Sequence, residues 1–215
     1  MNIILLAPPA AGKGTQSELL ENAYNLNHIS TGDLLRSAAN EDTPFGNNLK
    51  IMMESGKLVT DDIVLEVFNN YLARCDNLNL LLDGFPRNSY QAHKLDEILE
   101  SNNSKIDYVI LLDVPKEVLL DRITGRRLCK SCGRVYNVNI EALKPKVDDV
   151  CDKCGNSLTW RKDDNKETFE IRYNEYLEQT SPLIDYYQNK NVLYKVDGTK
   201  TTTETFDKIK EIINN

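Results

Sequence analysis

A chain of 215 residues with 40% hydrophobic content is long enough to bury one substantial core, which predicts a single α/β domain carrying insertions. Its formal charge of -7 and pI near 5.0 give no broad basic field for a nucleic-acid backbone or an anionic membrane surface. No run approaches the ~20 apolar residues of a membrane span. The start, MNIILLAPPAAGK, lacks a basic segment before its short apolar stretch, so a cytoplasmic protein with small-molecule partners is expected.

Taken in chain order, Ile3 to Leu6 reads as a buried parallel strand and Gly14 onward as a helix. The stretch ILLAPPAAGKGTQ, residues 4 to 16, therefore sits where a strand-loop-helix phosphate cradle belongs. The usual G-x-x-x-x-G-K-[ST] pattern is altered: Ala7 replaces the first glycine, Gly14 follows Lys13, and the hydroxyl arrives one residue late at Thr15. Lys13 can reach the β and γ phosphates, Thr15 can approach Mg2+ or a phosphate oxygen, and the helix start offers N–H groups and a positive dipole end. A short strand is predicted around His28 to Ser30. Residues 30 to 59 read as helix and turn with a stop at Gly56, inserted before the chain returns to the sheet. Thr60 is placed to cap a helix carrying Ile63, Val64, Val67, Phe68 and Tyr71, and Ser89 to cap the next. Cys75 reads as an ordinary helix-face residue.

In LLLDGFPRN, the strand Leu80 to Leu82 ends on Asp83, at the edge where parallel sheets collect their ligands. An acid there can hold Mg2+ through water, Gly84 allows close backbone approach, and Arg87 can clamp a phosphate bidentately. Tyr108 to Leu112 and Val192 to Val196 complete the predicted strands, and Pro115 opens a helix ending at Gly125. Strands alternating with helices imply a mostly parallel sheet covered on both faces. His28 and His93 read as structural residues. Tyr173, Tyr176, Tyr186 and Tyr187 read as a packing face on a C-terminal helix that Pro182 bends or restarts.

Residues 125 to 162 are rich in Gly, Pro, Asp, Lys and Cys, with too few apolar residues for a core of their own. Cys129-x-x-Cys132 and Cys151-x-x-Cys154, separated by eighteen residues, match a four-thiolate structural zinc site with no open coordination position. Gly133 and Gly155 allow tight turns that aim backbone N–H groups at the sulfurs. Further arginines, Arg36, Arg122, Arg126, Arg161 and Arg172, punctuate an acidic chain. Phosphoryl transfer asks little covalent chemistry of a protein but much charge compensation, which converging arginine forks supply.

Several collinear motifs closely resemble the adenylate kinase family, in its bacterial long-lid form with a zinc-binding lid: GKGTQ at 12 to 16, STGDLLR at 30 to 36, GKLVTDD at 56 to 62, LLDGFPR at 81 to 87, DRITGRR at 121 to 127, GRVYN at 133 to 137, RKDD at 161 to 164 and VDGTK at 196 to 200. The resemblance implies an α/β P-loop nucleoside monophosphate kinase fold with a five-stranded parallel sheet. It assigns residues 1–29, 60–124 and 163–215 to the core, 30–59 to an AMP-binding lobe and 125–162 to the lid. By matching position it implies ATP contacts from Ala10, Ala11, Gly12, Lys13, Gly14, Thr15, Arg122, Arg126, Val135, Tyr136 and Lys200. AMP contacts would come from Thr31, Arg36, Lys57, Leu58, Val59, Gly84, Phe85, Pro86, Arg87 and Gln91, with Arg161 and Arg172 closing over the transferred group. Gln91 has the chemistry to pair with an adenine edge, and Lys13, Asp83, Arg87, Arg126, Arg161 and Arg172 are the implied catalytic set.

The implied reaction is ATP + AMP = 2 ADP in a monomer using Mg2+ with ATP and a structural Zn2+. The family usually reads G-x-P-G-x-G-K-G-T, and here Ala7 and Ala10 stand at two of those glycines. Alanine costs roughly 1 kcal/mol or more where φ is positive and little where it is negative. A kinase for another nucleoside monophosphate, and a nucleotide-binding homologue impaired by that loop, are the alternatives.

Overall fold

The computed structural model describes residues 1–40, 42–54, 59–73 and 78–215, without the side chain of Asp33; Gly56, Lys57, Leu58 and Cys75 lie outside the described residues. In chain order the elements are β1 (Ile3–Leu6), α1 (Lys13–Tyr24), β2 (Asn27–Ser30), α2 (Thr31–Ala39), α3 (Pro44–Glu54), α4 (Asp61–Leu72), β3 (Leu80–Asp83), α5 (Ser89–Ser101), β4 (Tyr108–Asp113), α6 (Lys116–Gly125), β5 (Arg126–Cys129), β6 (Val135–Asn137), β7 (Leu158–Thr159), α7 (Lys166–Glu175), α8 (Pro182–Asn189), β8 (Leu193–Asp197) and α9 (Thr202–Asn214).

Five strands form an all-parallel sheet in the order β2-β3-β1-β4-β8. Its three central strands, β3, β1 and β4, are apolar at successive positions because both faces are covered. Side chains alternate across the sheet: Ile4, Leu6, Leu80, Leu82, Val109 and Leu111 join one core with Phe68, Leu95, Leu99 and Tyr187. Ile3, Leu5, Leu81, Ile110 and Leu112 join the other with Leu20, Leu119, Phe169 and Ile209. The period of two thus divides each strand between two helical layers.

The helix after β1 packs on the second core and the helix after β3 on the first, so the two connections leave adjacent strands towards opposite faces. That divergence opens a crevice beyond the strand ends, where doubly wound sheets bind ligands. Register sets Leu5 beside Asp83, bringing the β1–α1 loop and the β3–α5 loop to the same edge.

Two expected caps differ in detail. Thr60 is the N-cap residue of α4, but its side chain makes no capping bond; Asp61 and Asp62 in the first turn complement the helix dipole instead. The cap of α5 is Asn88, whose side chain accepts from the Gln91 N–H, while Ser89 is the first helical residue. Pro182 restarts the C-terminal helix as α8 after a wide π-type turn over Tyr176–Thr180.

A separate antiparallel sheet, β6-β5-β7, carries the cysteine-rich segment. Its buried apolar cluster among the described residues is Cys129, Tyr136, Cys151 and Leu158 with Cys132 against it, as expected of a segment that cannot build a core from apolar residues alone. Among the described residues no helix is long and apolar enough to cross a membrane.

Candidate active site

The β1–α1 loop resolves the question raised by its two alanines. Ala10 sits at φ 66, in the left-handed region, as does Gly12 at φ 98; Ala7 does not share that conformation and is buried in the core. Replacing each by glycine should therefore act differently. Ala10→Gly removes roughly 1 kcal/mol of left-handed strain but adds ~0.4–1 kcal/mol of unfolded-state entropy, leaving stability nearly unchanged. Ala7→Gly gains nothing at its φ and loses a buried methyl, a loss of about 1 kcal/mol or more. Urea denaturation midpoints of the two variants check this ordering.

No side chain caps α1, so its first-turn N–H groups face the loop as an anion cradle. Lys13 bends back over the loop, with Nζ 3.4 Å from the Ala7 carbonyl oxygen. Burial pushes its pKa down to about 8, against the attraction of Asp83 and with repulsion from Arg87, Arg172 and Arg126. A polyphosphate bound here would restore the charge, so nucleotide binding at pH 8.5–9 is expected to take up protons. Calorimetry in buffers of different ionisation enthalpy measures that uptake. The same depression makes the unfolded chain hold more protons between pH 8 and 10.5, so through this group the unliganded fold gains stability as pH rises across that window.

Asp83 ends β3 and is 9% exposed. Burial raises its pKa, but the nearby His28 ring, whose Nε2 lies 3.9 Å from Oδ2, the charge of Lys13 and a hydrogen bond from Ser17 outweigh it and hold the carboxyl below its ordinary range. Ser17 Oγ donates to Oδ2 at 3.3 Å. His28 bridges towards Glu21 on its other ring nitrogen at 3.3 Å, so it supports the site rather than merely ending a strand. Gly84, at φ 81, is required twice over: an added Cβ would lie 3.1 Å from Arg87 Nη2 and 3.2 Å from Thr31 Oγ1. Its carbonyl oxygen accepts from Thr31 Oγ1 at 2.9 Å and Arg87 Nε at 2.8 Å.

One cleft, with about 1100 Å³ of empty space open to solvent, joins Lys13, Thr31, Arg36, Val59, Gly84, Pro86, Arg87, Gln91, Asp163 and Arg172. Burial lowers the pKa of the Arg87, Arg161 and Arg172 guanidinium groups, so cations stand in a poorly solvated place. Arg126 forks onto Asp164 through Nε at 2.8 Å and through Nη2, and Arg172 Nη1 donates to Asp163 Oδ2 at 3.0 Å. Arg161 feels the charges of both Arg126 and Arg36. The arrangement can bind clustered phosphates and compensate charge moving between them.

The four cysteines form a closed cluster: their sulfurs all lie within 4.8 Å of one another. A tetrahedral Zn2+ with ~2.3 Å bonds fits such a set. Gly133 and Gly155 take positive φ, turning the N–H groups of Arg134 and Asn156 onto the Cys132 and Cys154 sulfurs.

A family model described as adenylate kinase matches residues 5–192. The adenylate kinases of Clostridium tetani (strain Massachusetts / E88), Clostridium perfringens (strain SM101 / Type A) and Clostridium botulinum (strain Alaska E43 / Type E3) are 48%, 45% and 44% identical to the chain over 214 residues. That is 99% of the chain and 98%, 98% and 99% of theirs. This chain belongs to the adenylate kinase family.

Against the adenylate kinase pattern, three expected contacts sit differently. Phe85 turns into the core with its ring 4.5 Å from that of Phe68, because the strand end it follows alternates faces; only Gly84 and Pro86 of that pair of neighbours line the cleft. The Tyr136 side chain is buried against the cysteines, its hydroxyl 3.4 Å from Cys151 Sγ and accepting from the Asp152 N–H at 2.7 Å, which leaves its backbone and the 48% exposed Val135 to meet a ligand. Arg122 donates to the Gly198 carbonyl at 2.8 Å and to that of Ala11 at 3.4 Å, bracing the phosphate loop. Thr15 and Lys200 are exposed, and neither lines the cleft.

Asp163 and Asp164 were legible in RKDD yet carry no role in the sequence reading, which took only the arginine. Two adjacent acids beside an arginine-rich site are the signal that they hold those arginines in place. The Tyr136 hydroxyl holds the Cys151 thiol down to about 6, favouring the thiolate a metal requires. Tyr136→Phe should weaken zinc affinity by about 10–100-fold, measured by competition with a chromogenic chelator.

Proposed function

We propose that this phosphotransferase of the adenylate kinase family catalyses ATP + AMP = 2 ADP in the cleft between the phosphate loop and residues 30–59. The observation that carries the reading is the convergence of Lys13, Arg87 and Arg172 on one opening together with Thr31, Arg36 and Gln91, with Asp83 near enough for its charge to act on Lys13. ATP lies along Ala10–Thr15 with its base towards Val135, the Tyr136 backbone and Lys200. AMP lies among Thr31, Arg36, Val59, Gly84, Arg87 and Gln91. Asp83 would hold the magnesium bound with ATP, which would supply charge compensation to its phosphates.

A nonbridging oxygen of the AMP phosphate attacks the γ-phosphorus in line; the new P–O bond forms as the bond to the β,γ-bridging oxygen breaks, and that oxygen leaves with ADP. A phosphate monoester with a second pKa of ~6 is already mostly dianionic at neutral pH, so no general base is needed. Lys13 and Arg87, Arg126, Arg161 and Arg172 position the groups and offset equatorial charge. Residues 125–162 act as the lid, with Cys129, Cys132, Cys151 and Cys154 holding a structural Zn2+, and closure excludes water that would hydrolyse ATP. The reading takes the protein as a cytoplasmic monomer without nucleic-acid or membrane partners. The test is ADP formation from MgATP with AMP, CMP, UMP or GMP: AMP should be strongly preferred, and equal use of a pyrimidine acceptor would reject the assignment.

A further inference from the structure

The Gln91 amide is held at both ends. Its Nε2 donates to Asp61 Oδ1 at 2.7 Å, and its Oε1 accepts from the Arg87 backbone N–H at 2.7 Å. Asp61 Oδ1 also accepts from Asn88 Nδ2 at 2.8 Å, and Asn88 Oδ1 accepts from the Gln91 backbone N–H at 2.9 Å. Gln91 is 2% exposed and lines the cleft beside Arg36, Val59 and Val64.

An amide's oxygen and nitrogen are nearly the same size, so a loosely held glutamine can present either order of donor and acceptor. Here the order is forced. A backbone N–H only donates and a carboxylate oxygen only accepts; turning the amide over would set N–H against N–H and oxygen against oxygen. Each end keeps one further valence, a second N–H hydrogen and a second oxygen lone pair. A base meeting this side chain therefore meets a donor and an acceptor in a fixed order. Adenine offers an N6 donor beside a ring-nitrogen acceptor, whereas a 6-oxo purine puts an acceptor where that donor stood.

We propose that Asp61 is a specificity-determining positioning residue: by holding Gln91 Nε2 it fixes the amide's polarity, so that the acceptor side takes a 6-amino purine monophosphate and refuses a 6-oxo one. This rests on the reading of the cleft as the AMP site. Asp61 touches no substrate and acts through Gln91.

The test is kcat/KM with MgATP and either AMP or inosine monophosphate, for the parent, Asp61→Ala, Asp61→Asn and Gln91→Leu. Asp61→Ala should shrink the AMP-over-IMP ratio by about tenfold or more, because the freed amide can turn. Asp61→Asn keeps an oxygen that accepts from both partners and should stay within about threefold of the parent's ratio. If Asp61→Ala lowers both substrates alike and leaves the ratio unchanged, Asp61 merely ties α4 to α5 and the proposal is overturned. Gln91→Leu separates the two levels. A ratio unmoved by it means Gln91 does not read the base, and the acceptor-site reading falls; a ratio that collapses in Gln91→Leu but not in Asp61→Ala leaves the site standing and removes only the lock. Should Asp61→Ala not fold, the parent's Gln91 side-chain resonances, assigned by their loss in Gln91→Leu, decide: slow solvent exchange of the amide hydrogens supports the lock, and exchange as fast as in an exposed glutamine overturns it.

Discussion

Replacing Arg87 with alanine is expected to lower kcat/KM for AMP-dependent ADP formation by about a thousandfold or more. The guanidinium is anchored rather than mobile: Nε donates to the Gly84 carbonyl at 2.8 Å, and the residue's own carbonyl accepts from Thr180 Oγ1 at 2.7 Å. Burial lowers its pKa, and although Asp83 opposes that, Arg36 adds further repulsion. A cation held in such surroundings has already given up water, so an arriving phosphate meets a fixed charge that needs little reorganisation. Arg87→Lys should recover only a small part of the loss. A lysine offers one compact ammonium in place of a planar fork, and cannot keep the Gly84 bond while reaching a phosphate with two parallel donors. Initial rates with saturating MgATP and varied AMP measure both variants. Loss confined to KM would mean that Arg87 binds AMP equally in ground and transition states.

Zinc removal has the second large expected effect. The buried cluster of residues 125–162 is made of Cys129, Cys151, Tyr136 and Leu158, while neither core flanking the five-stranded sheet draws a buried residue from that segment. Without the ion the four clustered sulfurs lose the charge that lets all of them stay deprotonated together. Structural zinc contributes apparent binding energies of ~10–16 kcal/mol in small thiolate-rich sites, more than such a cluster could supply by burying side chains. Chelation, or Cys151→Ser, should therefore melt the β5–β7 sheet by itself and leave the main sheet folded. Arg126, at the start of β5, and the Asp164 that grips it then lose their fixed geometry. If residues 125–162 act as the proposed lid, activity should fall by more than about tenfold, through lost charge compensation and water exclusion. Hydrogen exchange resolved by segment reads this directly: protection lost in 126–159 but kept in β1, β3 and β4 is the expected pattern. Uniform loss across both sheets would show that the metal holds the whole fold.

Much of this architecture is legible in residue order because its causes are local. Apolar runs such as Ile3–Leu6 and residues 109–112 of β4 are buried throughout, and a strand of that kind announces itself without partners. The paired C-x-x-C spacing is equally local. What residue order conceals is pairing across distance. Asp61 and Gln91 are thirty positions apart and Arg126 and Asp164 thirty-eight, and nothing in either neighbourhood names the other. Phe85 sits inside the most informative motif of the chain, yet its ring belongs to the core because a motif constrains several neighbours for different reasons. Tyr136 likewise serves the cysteines with its side chain. The two alanines of the phosphate loop are the plainest case: the same substitution is strained at residue 10 and unstrained at residue 7, and only the backbone angle distinguishes them.

This alanine-bearing loop should still work in phosphoryl transfer between adenine nucleotides. The most direct measurement is ADP and orthophosphate formation by the zinc-loaded protein from MgATP, with and without AMP, beside the Ala10→Gly variant. Two ADP should form per AMP consumed, with negligible orthophosphate, no ADP without AMP, and a variant close to the parent. Absence of AMP-dependent ADP in the parent with recovery in Ala10→Gly would contradict this, showing that the strained loop had closed the site.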